Sequence, residues 1–218
     1  MLRVEFHCHT IASKDSLARP EALLAACRRR GIDRLVVTDH NTIVGARLAK
    51  EMDPGRVILG EEIMTTGGEL LVAFVVEHVP PGLSPMETIA ILREQGAFIS
   101  VAHPFDGNRK GHWALPALLE IAPLVDAIEV FNSRCMSPAP NIEAQSFAME
   151  RGLRGTVGSD AHAIFEVGRA TMLMPDFEDA AGLASALGLA RFETRLSSPL
   201  VHLTSRYAVW RKKLAGVA

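Results

Sequence analysis

A chain of 218 residues, nearly half of them hydrophobic, is long enough to bury a sizeable core, and its net charge of −2 carries no long block of one sign. That balance argues against nucleic acid as a partner and favours a small substrate. The 3 cysteines form no CxxC pair, and neither a secretory leader nor a bilayer-length apolar run is read, so a cytoplasmic protein with no membrane partner is expected. Composition leaves the oligomeric state open.

In chain order, short β-branched runs alternate with Ala/Leu/Arg-rich stretches of helical period, the pattern of repeated βα units on a parallel sheet. VEF at the start predicts a strand. Pro20 opens a helix that Gly31 closes, with three arginines in its last turn where they complement the helix dipole. RLVVT predicts the next strand, 42–51 a helix, RVILG a strand, and GGELLVAFVV another that begins near Glu69. Ser84 and Glu87 form a capping box, with Pro85 at the first helical position and Gly96 past the end. FISVA, AIEVF and RGTVGS predict further strands, and 115–122, 141–151 and 177–187 further helices. Residues 200–218, with Arg206, Trp210, Arg211, Lys212 and Lys213, read as an amphipathic closing helix with a solvated basic face. No linker or fixed-period repeat divides the chain, so residues 1–218 are read as one domain.

The residues at the ends of the apolar runs point to chemistry. VEF leads into His7 and His9, which share a face because strand side chains alternate. RLVVT leads into Asp39 and His40, RVILG into Glu61 and Glu62, FISVA into His103, AIEVF into Asn132, and RGTVGS into Asp160 and His162. Five of the eight histidines thus sit directly after predicted strands, where parallel α/β architectures gather their active sites. His78, His112 and His202 fall outside this pattern and read as surface or loop residues. Imidazole with carboxylate suits zinc, iron or manganese, and Cys8 points away from the pair. The set is too large for one tetrahedral ion, whereas a carboxylate such as Glu62 can bridge two.

HCHT, TDHNT, GEE, AHPF and GSDAH, in this order over most of the chain, resemble the motifs of the PHP family, named for polymerase and histidinol phosphatase. The resemblance implies a distorted (β/α)7 barrel, two or three divalent transition metals (zinc, manganese or iron) and phosphoesterase activity. Carried over residue by residue, it implies that His7, His9, Glu62 and Asp160 hold a first metal. Glu62 bridges to a second, which His103 also binds, and Asp15, His40 and His162 hold a third. Asp39, beside His40, reads as a carboxylate that orients a ligand. One departure is visible: where many members place a histidine shortly after the GEE-like motif, this chain has Glu69, read either as a ligand of the second metal or as an exposed hairpin residue.

Phosphate recognition needs cations near the metals, and the planar fork of arginine suits it. Arg134, with Asn132 beside it, is the first choice, with Arg109 and Lys14 next, in loops after ligand-bearing strands. Phosphate loops, GxGxxG and GxSxG elbows are absent from the sequence. The expected activity is hydrolysis of a small phosphate monoester or nucleotide-derived phosphate through a metal-bridging hydroxide, with Asp15 or His162 protonating the leaving group. Two other readings stay open: an amidohydrolase-like C–N hydrolase, and a metal-stabilised binding module without catalysis.

Overall fold

The computed structural model describes residues 1–216. Its elements run β1 (Leu2–Glu5), α1 (Pro20–Arg29), β2 (Arg34–Val37), α2 (Val44–Met52), β3 (Val57–Met64), β4 (Glu69–Ala73), α3 (Pro85–Glu94), β5 (Phe98–Val101) and α4 (Leu115–Ile121). They continue with β6 (Ala127–Asn132), α5 (Ala139–Glu150), β7 (Arg154–Gly158), β8 (Ala170–Met174), α6 (Ala180–Leu187), β9 (Arg191–Thr194) and α7 (Val201–Leu214). The helices predicted from capping and period are all present, shifted by at most a few residues. Ser84 accepts from the Glu87 N–H and the Glu87 carboxylate answers the Ser84 N–H, so the capping box at α3 is complete. The closing helix is described to Gly216; residues 217 and 218 of the predicted segment lie outside the described residues.

The sheet order is β7-β6-β5-β4-β3-β2-β1-β8-β9. The pairs β1–β2, β2–β3, β5–β6 and β6–β7 are parallel, but β4 runs antiparallel to both β3 and β5. The reason is local: β3 and β4 are joined by a short turn at Thr65–Gly68 rather than by a helix, and a short connection can only reverse the chain. This reversal distorts the (β/α)7 pattern. The ring of seven strands closes where the chain beyond β1 meets the chain beyond β7. There a parallel bridge at Cys8 and Ala161 is made by His9 N–H to Ala161 O (2.9 Å) and Ala161 N–H to His7 O (3.3 Å). Strands β8 and β9 extend the sheet outward from β1 as an antiparallel pair.

Side chains fill the interior. Phe6, just after β1, and Phe98 from β5 meet edge to face across the ring, centroids 5.6 Å apart. A second cluster joins Cys8, Leu35 and Val37 to Leu23, Leu24 and Cys27 of α1. All three cysteines are buried and free. Among the described residues no helix is long and apolar enough to cross a membrane.

Candidate metal centre

Four side-chain atoms that meet between β1, β3 and β7 are buried and lack a hydrogen-bond partner among the described residues: His7 Nε2, His9 Nε2, Glu62 Oε2 and Asp160 Oδ1. Leaving such atoms unpaired in a protein interior costs roughly 1–3 kcal/mol each, a cost that a cation between them would remove. Their mutual distances give its size. His7 Nε2 lies 3.3 Å from Glu62 Oε2 and 3.6 Å from Asp160 Oδ1, while His9 Nε2 lies 3.4 Å and 3.2 Å from the same two oxygens. Four ligands about 2.0–2.1 Å from a tetrahedral cation stand roughly 3.3 Å apart, so the residues fit such an ion.

The imidazoles are held in the tautomer a metal requires. His7 Nδ1 donates to Glu129 Oε1 at 2.9 Å, which leaves Nε2 as a lone pair. His9 Nδ1 stands 3.1 Å from Ser13 Oγ; that hydroxyl gives its own proton to Asp39 Oδ1 at 2.6 Å and so accepts from His9. Asp39 also takes the Thr10 N–H and hydroxyl, each at 2.7 Å, and thus orients His9 through Ser13. His162 Nδ1 donates to Asp160 O at 2.8 Å, and its Nε2 faces Asp15 Oδ2 at 3.2 Å.

The remaining donors extend the cluster on two sides. His103 Nε2 is 3.0 Å from Glu62 Oε1 and 3.5 Å from Glu69 Oε2. His40 Nδ1 is 3.0 Å from Glu62 Oε2 and 3.7 Å from Glu69 Oε1, while its Nε2 is 3.6 Å from Asp15 Oδ2. Groups with metal-binding geometry are His7/His9/Glu62, His40/Glu62/Glu69 and His9/His40/His162. His40 therefore addresses both the Glu62–Glu69 side and the Asp15–His162 side. Glu69 is buried rather than an exposed hairpin residue, and Gly111 makes its position possible, because a Cβ there would collide with the Glu69 carboxylate. Gly158 does the same for His7, whose Cβ and Glu129 partner occupy the space of a side chain.

Charge is densely opposed in the centre. Burial depresses His9, helped by neighbouring His162 and His40, so it stays neutral as a ligand should. Burial would lower His7 too, but Glu62, Asp160 and Glu129 outweigh it and hold this imidazole well above its ordinary value. Burial would raise the Asp160 carboxyl, yet Arg109 and His7 keep it well below the carboxylate range. Glu69 is pushed up by burial and by the adjacent Glu62 charge.

Beside the centre lies a cavity of about 390 Å³ whose walls include Asp15, His162, Arg109, Arg134, His202 and Ser205. Arg109 reaches into the cluster, its Nη2 2.5 Å from Asp160 Oδ2. Arg134 lines the cavity but is buried, with Nε 3.2 Å from Glu166 and Nη2 donating to Val201 O and Ser205 Oγ, each at 2.9 Å. It thereby fastens α7 over the site as well as facing the cavity. Asn132 is not presented to the cavity. Its amide donates to Glu129 and Asp160, and its carbonyl accepts the Arg134 N–H, so it orients carboxylates and is not placed to touch substrate. Lys14 lies on a separate depression with His40, Asn41 and Lys212, on the other side of the cluster.

Three more residues or pairs differ from the sequence expectation. Glu61 and Glu62 lie within β3 rather than after it, because the strand continues into the hairpin with β4. His202 is not an ordinary surface residue: its Nε2 meets Arg134 O at 3.1 Å on the cavity wall. Lys212 is not part of a solvated basic face; it is buried and donates Nζ to Ile11 O at 2.6 Å and to Ser13 O, tying α7 to the loop after β1. Glu129 and Ser13, which sequence reasoning does not single out, orient His7 and His9. The available signal for Glu129 is a lone carboxylate inside the apolar run AIEVF, since a buried charge in a strand calls for a partner.

The chain also resembles known proteins in sequence and in fold. Residues 138–192 match the family model described as PHP-associated. Over 173 residues the chain is 39% identical to the uncharacterized protein MJ0417 of Methanocaldococcus jannaschii, covering 78% of this chain and 69% of that one. It is similar to a solved two-domain protein of Bacteroides vulgatus containing a predicted PHP-like metal-dependent phosphoesterase, with TM-score 0.72 and 21% identity over 89% of this chain. The chain spans 65% of that protein, a little under two thirds. It is also similar to an amidohydrolase of Chromobacterium violaceum solved with bound sulfate, with TM-score 0.62 and 14% identity over 93% of this chain and 96% of that one. The chain belongs to the PHP family, and its distorted barrel is the fold shared with these structures.

Proposed function

We propose that this protein is a metal-dependent phosphoesterase acting on a small phosphate monoester or a nucleotide-derived phosphate. The observation that carries the reading is the cage of four unpartnered donors, His7, His9, Glu62 and Asp160, opening beside a cavity walled by Arg109 and Arg134. His7, His9, Glu62 and Asp160 hold one cation; Glu62, Glu69 and His103 a second; Asp15, His40 and His162 a third, with zinc, manganese and iron all suited to the donors. When bound, such cations supply Lewis acidity toward phosphoryl oxygens and lower the pKa of water.

The chain's own groups do the rest. Glu129 and the Ser13–Asp39 pair keep His7 and His9 in the binding tautomer. Arg134 and Arg109 face the cavity, where guanidinium forks neutralise phosphate oxygens as charge builds. Asp15 and His162 stand at the boundary of cluster and cavity, where one of them delivers a proton to the leaving oxygen. A cavity of about 390 Å³ has room for a small ester, the class this reading favours.

The test is a panel of phosphate esters, including nucleoside monophosphates, bisphosphorylated nucleotides and single-stranded DNA, against protein reconstituted with each metal. Two or three bound equivalents and turnover of small esters far above DNA are expected, both abolished by a chelator. The likeness to an amidohydrolase supports C–N hydrolysis as a second reading, and turnover of amides or amidines with inert esters would favour it. Metal binding with no turnover of either class would leave a binding module.

A further inference from the structure

A second depression, of about 340 Å³, lies at the other end of β1 from the metal centre and is lined by Arg3, Arg30, Arg169, Arg195 and Phe165. The four guanidiniums come from separate parts of the chain. Arg3 is in β1, Arg30 caps the C-terminus of α1, Arg169 precedes β8, and Arg195 comes just after β9. The pairing of Ala170 with Thr194 sets the last two side by side, and the Arg195 N–H donates to Arg169 O at 2.8 Å.

Their present partners account for only some of this charge. Arg3 meets Glu193 at 2.5 Å. Arg30 is spent on carbonyls, those of Ile164 at 2.7 Å, Val167 at 2.5 Å and Phe165 at 3.4 Å. Arg169 and Arg195 have no side-chain hydrogen bond or ion pair among the described residues, and no carboxylate is bonded to Arg30. With Arg3 matched by Glu193, the uncompensated charge is that of Arg30, Arg169 and Arg195, of which Arg30 and Arg195 are exposed, and their proximity raises their mutual repulsion. Nothing in the metal centre uses them.

We propose that this depression is a second anion site, for a small molecule bearing two or more phosphate-like charges. Guanidinium forks suit phosphate oxygens, and two of the four are already free to turn toward them. At about 340 Å³ the concavity has room for a small molecule and not for the extended track that a nucleic-acid backbone needs. Its location gives binding a consequence. Arg30 grips the segment from Ile164 to Val167, and that same segment carries Glu166, whose carboxylate caps the His162 and Ala163 N–H groups. An anion seated here rests against the back of the loop that delivers Asp160 and His162.

The probe is pyrene-1,3,6,8-tetrasulfonate, a polyanion that does not strip metals as polyphosphates do, titrated by fluorescence into metal-loaded full-length protein at physiological salt. One equivalent should bind, with affinity at least tenfold weaker in Arg169→Glu/Arg195→Glu and unchanged in Arg109→Ala, which alters the catalytic cavity and removes no hydrogen bond or ion pair to the Ile164–Val167 segment among the described residues. The milder Arg169→Gln/Arg195→Gln pair guards against misfolding. Without anion it should melt at or above the parent temperature, because repulsion is relieved, and it should lose the upward shift that the probe gives the parent. Binding that disappears in Arg109→Ala would place the probe in the catalytic cavity and overturn the proposal. So would parent-like binding in both double variants, or binding of single-stranded DNA but not of the tetrasulfonate.

Discussion

Glu129→Gln tests how the centre is organised, because the substitution preserves shape and changes only what the side chain can accept. Glu129 receives three hydrogen bonds: His7 Nδ1–H at 2.9 Å, the His103 backbone N–H at 2.8 Å and the Asn132 amide at 3.1 Å. A glutamine has one carbonyl oxygen and one NH₂ group. If its oxygen keeps His7, the NH₂ confronts the His103 N–H and the Asn132 amide, leaving buried donors unpaired at about 1–3 kcal/mol each. If it flips, the NH₂ faces His7 Nδ1 and drives the proton to Nε2, which removes the lone pair aimed at the cage. Either route should weaken metal binding about 10–100-fold, roughly 1.4–2.8 kcal/mol. Competition against a chromophoric chelator measures this directly, with circular dichroism confirming the fold. Parent-like metal affinity in Glu129→Gln would refute the claim that His7 is held as a ligand by this carboxylate.

Glu69→Ala should lose occupancy of one metal while the His7–His9–Glu62–Asp160 cage keeps its own, and Glu69→His should retain more metal and more activity than the alanine variant; elemental analysis and turnover decide. Lys212→Met should cost about 2 kcal/mol in urea denaturation, since it leaves the Ile11 and Ser13 carbonyls without their charged donor. Burial raises the Glu5 carboxyl from 4.5 to about 7, its bonds from Ser159, Gly168 and His7 only partly offsetting this. The folded chain thus binds this proton more tightly than the unfolded one, so the contribution is fully present below about pH 4.5 and is lost as pH rises through 7, by at most about 3 kcal/mol. Comparing the pH dependence of stability in parent and Glu5→Gln isolates that slope, and identical slopes would contradict it.

Most of the ligand-type residues are legible in the sequence because they succeed or end a short β-branched run, and in a parallel barrel such positions converge; Asp15, in the loop after β1, and Glu69, which opens β4, are reached only through the family resemblance. The same logic misplaces Glu61 and Glu62, because a strand that continues into a hairpin looks identical in sequence to one that stops. Strands β8 and β9 escape it, and for β9 the reason is plain: all four of its residues are exposed, so it has no apolar alternation to recognise. The roles of Asn132, Lys212 and His202 depend on which distant elements they meet. Lys212 sits in a basic run that resembles a solvated helix face until α7 docks on the loop after β1. Spacing shows which residues can coordinate; it does not show which ones hold the coordinators still.

The bridge between Cys8 and Ala161 closes the barrel with residues that lie between the proposed ligands themselves, His7 and His9 on one side, Asp160 and His162 on the other. Joining points about 150 residues apart carries a large loop-closure entropy, so this seam belongs to the late, non-local events of folding. A cation held across it would act as a clasp on a join made by a single isolated bridge. If this seam forms only after the folding transition state, metal loading should slow unfolding far more than it speeds refolding. With metal bound, the persistence of the native barrel should then become a kinetic property of the charged centre, set by how fast the metal leaves.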